Sequence, residues 1–245
     1  MRFRSNSDPL DDRPFWQQRG WQLSAAFFGL VLCAGLVTVV VGLPDANAQK
    51  TRTATGPLTT VLTGDMTRPA GCGTDDSDQQ PPSQPPADVT WRPLNGANIP
   101  LSATAGPTQQ FGTILWCFAH TPMGAVMAAN IIPRHMSGDD WRVASDQQLV
   151  AGIGREVFEA RRASITTTTP QYTASSPAGF QVVTYSPETA TVRLLIRQSE
   201  AVYVSADFTV DWDNGDWKLQ PLSAGELYTP VTQVTALAGF VMWKV

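Results

Sequence analysis

The chain has two histidines, His120 and His135. An imidazole oriented by a carboxylate is the commonest device for general acid–base catalysis, and Asp139 or Asp140 could supply the orienting group. The spacing alone does not build such a pair. His120 immediately precedes a helix cap and is as readily a hydrogen-bonded support for that turn, while His135 falls in a polar, helix-terminal segment. The Gly-x-Ser-x-Gly pattern of a nucleophile elbow is absent, so the expectation is a domain with no catalytic residue.

Asp211, Asp213 and Asp216 surround a hairpin turn and invite a calcium reading. They lack the glycine placement and terminal glutamate of an EF-hand loop, and turns are commonly acidic for solvation alone. Gly152-Ile153-Gly154 likewise reads as a hinge or cap before a helix and not as a phosphate loop, because neither the full glycine pattern nor a preceding strand accompanies it. No metal and no cofactor is expected.

Cys72 and Cys117 are the cysteines that lie outside the most apolar segment. In an oxidising compartment the pair reads as a disulfide. The alternative is a buried free Cys117 with an exposed, unpaired Cys72; two cysteines are too few ligands for a structural metal.

The compartment is set by the segment Leu23 to Leu43, which has no charged residue. At about 1.5 Å per residue it spans roughly 30 Å, the thickness of a bilayer core. Trp16 and Trp21 stand where aromatic rings favour the membrane interface, and Arg2, Arg4, Arg13 and Arg19 precede the segment, against Lys50 and Arg52 after it. These place the N-terminus in the cytoplasm and the rest of the chain across the membrane, with lipid as one partner. Ala46-Asn47-Ala48 has the form of a signal-peptidase site, which is the competing reading, but the apolar run exceeds the usual core of about 7–15 residues. A lipoprotein reading through Cys33 is weaker, since Leu32 stands where a small residue is wanted.

The expected organisation is a cytoplasmic tail (1–22), a transmembrane helix (23–43), a flexible stalk rich in Pro, Gly and Thr (44–88) and an extracytoplasmic domain (89–245). The stalk ends in Gln79-Gln80-Pro81-Pro82-Ser83-Gln84-Pro85-Pro86, a composition that buries little apolar area. Beyond the membrane segment the chain carries 13 Lys+Arg against 18 Asp+Glu. Apart from Arg161-Arg162 there is no basic cluster, which argues against direct contact with nucleic acid.

Within the domain, Thr121-Pro122 opens a helix in which Val126, Ala129 and Ile132 form an apolar stripe that Pro133 ends or kinks. Further helices are expected over about Asp139 to Leu149 and Arg155 to Ala163. The pattern then switches to period two. Val202, Val204, Ala206, Phe208, Val210 and Trp212 share one face of a strand over Ala201 to Asp213, and Asn214-Gly215 turns it back through Trp217 and Leu219. Thr189 to Arg197 alternates similarly, and Phe180 to Tyr185 and Ala238 to Trp243 read as further strands. Two or three helices followed by a curved antiparallel sheet make an α+β domain, ordered as in the nuclear-transport-factor-2-like cone or, alternatively, a cystatin-like fold. Tyr185, Tyr203 and Tyr228, with Trp91 and Trp116, either mark a partner surface or fill a small core.

The single anchor, the Pro-rich stalk, the run Cys117-Phe118-Ala119-His120-Thr121-Pro122-Met123-Gly124-Ala125 and the C-terminal Gly239-Phe240-Val241-Met242-Trp243 together resemble an uncharacterised family of actinobacterial membrane proteins associated with conjugative and integrative elements. In architecture the chain is also similar to inner-membrane assembly factors of type IV secretion, which hold a nuclear-transport-factor-2-like domain outside the membrane. The resemblance implies a non-enzymatic assembly component that contacts other subunits of a transfer apparatus and self-associates. It assigns no binding residue, and a fold does not fix a function. The alternatives are a small-ligand-binding module and, third, an enzyme of the same fold.

Overall fold

A computed structural model describes residues 72–165 and 176–244. The expected tail, the Leu23–Leu43 anchor, the Ala46-Asn47-Ala48 site and the stalk up to residue 71 lie outside the described residues. Among the described residues no helix is long and apolar enough to cross a membrane.

The described fold is α+β, with three helices and a curved antiparallel sheet. Two small hairpins come first: β1 (Thr90–Leu94) with β2 (Ala97–Leu101), and β3 (Gln109–Phe111) with β4 (Ile114–Trp116). Asn95 and Gly96 both have positive φ, 45° and 79°, as a two-residue turn that follows the twist of its strands requires. Neither hairpin is anticipated from the sequence pattern.

Helix α1 (Pro122–His135) follows. Its N-terminus is built as expected: the Thr121 hydroxyl accepts from the Gly124 N–H at 3.0 Å, and Pro122 occupies the first turn, where its missing N–H is not needed. Gly124 is demanded by space, because a Cβ there would lie 1.8 Å from the Ala119 carbonyl oxygen. Pro133 lies inside the helix and does not end it, since two further residues stay helical. Helix α2 (Trp141–Gln148) and helix α3 (Ile153–Ser164) complete the helical layer, with Gly152 at φ 143° before α3.

The sheet consists of β5 (Ser176–Tyr185), β6 (Thr189–Arg197), β7 (Tyr203–Asp213), β8 (Asp216–Leu219), β9 (Thr232–Val234) and β10 (Val241–Met242). Its order is β10-β5-β6-β7-β8, with β9 pairing the other stretch of the same β7 edge. Val204, Ala206, Phe208, Val210 and Trp212 are buried as the alternation requires, while Val202 lies before the strand and is exposed. Register shifts at Pro177/Gly179 and Val182/Thr184 are bulges, and bulges bend and twist a strand. Across the outer face, Arg193 grips Asp207 with two bonds of 2.7 and 2.9 Å between directly paired residues. The C-terminal strand is shorter than expected, Val241–Met242 alone, but Trp243 beyond it is buried against Phe180.

Helix α1 packs against β5, β6, β7 and β8 as well as β2 and β4, so it forms the axis of the core. Phe118, Met127, Ile131, Ile132, Phe180, Trp217 and Leu219 are fully buried around it.

The folded body starts before residue 89. Cys72 is disulfide-bonded to Cys117, the Asp75 N–H donates to the Thr104 carbonyl at 3.2 Å, and Asp88 accepts from the Ser102 hydroxyl at 2.8 Å and the Thr104 N–H at 3.0 Å. Residues 72–88, expected at the end of a stalk, therefore form a strap on the domain. Composition misplaces them because polar bonds and one covalent link hold the strap, not apolar burial.

Candidate functional site

The polar residues singled out from sequence are held apart. His135, 3% exposed, faces Leu115 of β4 together with Gln148 of α2. Its Nε2 accepts the Leu115 N–H at 3.2 Å, so its proton resides on Nδ1, which donates to the Gln148 Oε1. Gln148 Nε2 in turn donates to the Leu115 carbonyl at 2.7 Å. The two side chains thus satisfy both backbone groups of one buried residue, as a neighbouring strand would. Asp140 accepts from Thr113 at 2.8 Å and is not the partner of an imidazole.

His120 lies flat on Trp212, ring centroids 3.8 Å apart and planes 10° from parallel, and its Nε2 donates to the Pro187 carbonyl at 2.6 Å. Its backbone holds the strap: its N–H donates to Asp76 at 2.8 Å and its carbonyl accepts from Gln79 at 2.8 Å. Tyr185 donates to the other end of the Gln79 amide at 2.6 Å.

Asp216, fully buried, turns away from the hairpin that Asp211 and Asp213 flank. Its carboxylate accepts the N–H groups of Cys117 at 2.7 Å, Phe118 at 2.9 Å and Trp217 at 3.0 Å. Asp213 pairs with Lys218 at 2.7 Å. The three aspartates do not converge, and among the described residues no cluster of His, Cys, Asp and Glu could hold a metal ion.

An apolar-walled pocket lies elsewhere. A pocket of about 270 Å³ opens between the C-terminal half of α1 and strands β6 and β7, with Leu194, Ala206 and Phe208 on the sheet side and Asn130 and Arg134 on the helix side. Tyr228, 41% exposed, covers Phe208 at its rim with ring centroids 5.1 Å apart. That volume is near the lower end of small-ligand sites, about 300 Å³. Among the described residues, Arg134 and Tyr228 are the ionisable members of the lining. Burial holds the Arg134 guanidinium below its ordinary pKa, with the charge of Tyr228 opposing the shift.

Residues 51–242 match the family described as Domain of unknown function (DUF8175). The chain belongs to that family. No curated protein and no solved structure matches it.

In this DUF8175 domain the sequence signals did not reach the pocket. Arg134 reads in sequence as a cation in the last turn of a helix, and the rest of the lining comes from α1 and Ser137 just after it, from β5, β6 and β7, and from the stretch Leu227 to Val231, which no local motif connects. The five aromatic residues expected as one surface or one core are divided. Trp116 is buried beside the disulfide, Trp91 packs edge-on to Trp243 at 5.7 Å, and Tyr185 serves the strap. Tyr203 is half-buried on β7, and Tyr228 stands at the pocket mouth.

The His135 arrangement makes the DUF8175 domain acid-sensitive in a defined window. Burial chiefly, opposed by the Gln148 bond, lowers its pKa from 6.5 to about 4. The neutral form belongs to the fold, so the unfolded chain takes up this proton first as pH falls. The stabilisation is complete above pH 6.5 and is lost as pH falls towards 4, by about 3 kcal/mol. Denaturation curves at a series of pH values should show this loss, and subtracting the curve for His135→Gln should isolate it. A parent–variant difference that stays constant over the window would contradict the buried neutral imidazole.

Proposed function

We propose that this chain is a single-pass membrane protein whose DUF8175 domain lies outside the cytoplasm and serves as a non-enzymatic component of a conjugative transfer or type IV-like secretion apparatus. It works by contact with other subunits and with copies of itself. The observation that carries the non-catalytic part is the pocket lining: among the described residues its ionisable side chains are Arg134 and Tyr228, with no histidine or carboxylate to move a proton near neutral pH. Elsewhere His135 and Asp216 are each committed to backbone groups. Three helices followed by a bent sheet, with α1 against four of its strands, support the nuclear-transport-factor-2-like cone over the cystatin-like alternative.

Cross-linking in native membranes, with mass spectrometry of what co-purifies and the N-terminal sequence read from the same sample, tests this reading. Channel or ATPase subunits recovered with an intact N-terminus are the expected result. A chain beginning near Gln49, or the absence of any such subunit, would remove it.

A second reading has its own support. The cone is not filled: its apolar pocket, bordered by a few polar groups, suits a small ligand. On that reading the domain senses or carries a molecule within the apparatus.

A further inference from the structure

We infer that the pocket between α1, β6 and β7 takes a small amphiphile with a carboxylate head, its apolar body against Leu194, Ala206 and Phe208 and its carboxylate on the Arg134 guanidinium. This rests on the ligand-binding reading and adds the chemical class of the ligand.

The argument is one of charge left unmatched. What Arg134 gives the fold comes from its backbone: its carbonyl accepts from Asn95 at 2.7 Å and from the Ser137 hydroxyl at 2.8 Å. Its side chain lines the pocket, and among the described residues no carboxylate lies within ion-pair distance of it. By contrast, the Arg161 guanidinium is held on Glu226, Arg193 on Asp207 and Arg162 on the Met136 carbonyl. A half-buried guanidinium beside apolar walls is complementary to an anion brought from outside.

The carboxylate matches the planar donor fork, which can form two parallel bonds with it, and the apolar wall rewards a hydrocarbon body. Asn130 adds polarity on the helix side. Its amide nitrogen donates to the Val126 carbonyl at 2.8 Å, which fixes the side chain at the pocket wall. Among the described residues no acidic side chain lines the pocket to repel the head group.

The test uses the full chain in lipid nanodiscs, with empty nanodiscs as the reference, and isothermal titration calorimetry with octanoate, octanol and octylamine. Octanoate should bind about 10- to 100-fold tighter than octanol, with octylamine weaker than both, as expected of hydrogen bonds to a charged group. Arg134→Met, which keeps the backbone bonds and much of the stem, should abolish the preference for octanoate while octanol binding persists. Arg134→Lys should restore part of it. Equal affinity for octanoate and octanol, or a preference that survives Arg134→Met, overturns the carboxylate inference and leaves a ligand pocket. No binding of any of the three above empty nanodiscs removes the ligand-binding reading as well, and leaves the membrane cross-linking result to judge the assembly role.

Discussion

Asp216→Ala should lower the unfolding free energy by about 4 kcal/mol. Three backbone N–H groups, those of Cys117, Phe118 and Trp217, end on this one carboxylate inside the core. Each buried donor left without an acceptor costs roughly 1–3 kcal/mol, and partial relaxation keeps the sum below the maximum. The bonds also hold Cys117 at φ 73°, a left-handed conformation that disfavours a residue with a side chain by roughly 1–2 kcal/mol. Asp216→Asn provides the graded control. Its single carbonyl oxygen can keep the Phe118 and Trp217 donors but turns an NH2 towards Cys117, so about half the loss is expected. Urea denaturation of the three proteins measures both values, and a loss under about 1 kcal/mol for the alanine variant would show that the carboxylate is dispensable.

The second large effect belongs to the disulfide. Cys72 and Cys117 are 45 residues apart, and closing a loop of that length in the unfolded chain is worth about 4 kcal/mol by chain entropy. Cys72→Ser should therefore lose up to about that amount. The Asp76–His120 and Gln79–Tyr185 bonds should loosen with it, since one end of the strap is freed. Reductant should bring the parent to the level of the variant and leave the variant unchanged. Proteolysis of the folded protein should shift to residues 73–86 in both cases. A parent whose stability ignores reductant would mean that the bonds along the strap suffice without the covalent link.

How far the sequence reveals this domain depends on whether a segment is held by periodic apolar burial. Strand β7 alternates so regularly that its apolar inward face from Val204 to Trp212 can be named residue by residue, β6 follows the same rule from Ala190 to Leu194 before Leu195 is buried as well, and Thr121-Pro122 announces α1 through cap chemistry that the structure repeats. Asn214-Gly215 marks one hairpin, and Asn95-Gly96 carries the same signal with φ positive at both positions in each turn. The second is masked by Pro93 and Pro100, which argue against strands unless both strands are free at their outer edges, as in this two-stranded ribbon. Strands β3, β9 and β10, of two or three residues, are too short for any period to emerge.

The site is less legible than the fold. Cys72 and Cys117 stand out in sequence as a possible pair, with a free buried Cys117 as the open alternative that the structure closes, but Asp216 looks like a turn residue while acting as a core acceptor nearly 100 positions from the Cys117 and Phe118 amides it holds. Arg134 gives no sign in sequence that its partner is missing. An unmatched charge is a property of what surrounds a side chain, and here the surroundings come from α1, three strands and a turn.

Cys117 also determines how a mechanical load would travel. A pull arriving along the chain from before residue 72 crosses the sulfur–sulfur bond directly into Cys117, which lies five residues before α1. The covalent shortcut leaves the 45-residue loop, with both small hairpins, outside the load path. Force is delivered instead to the residue whose N–H is locked on Asp216 and whose carbonyl accepts from Thr108. The strap and hairpins can therefore adjust under tension without being unravelled, and the first structure to bear the strain is the junction between the core helix and the sheet.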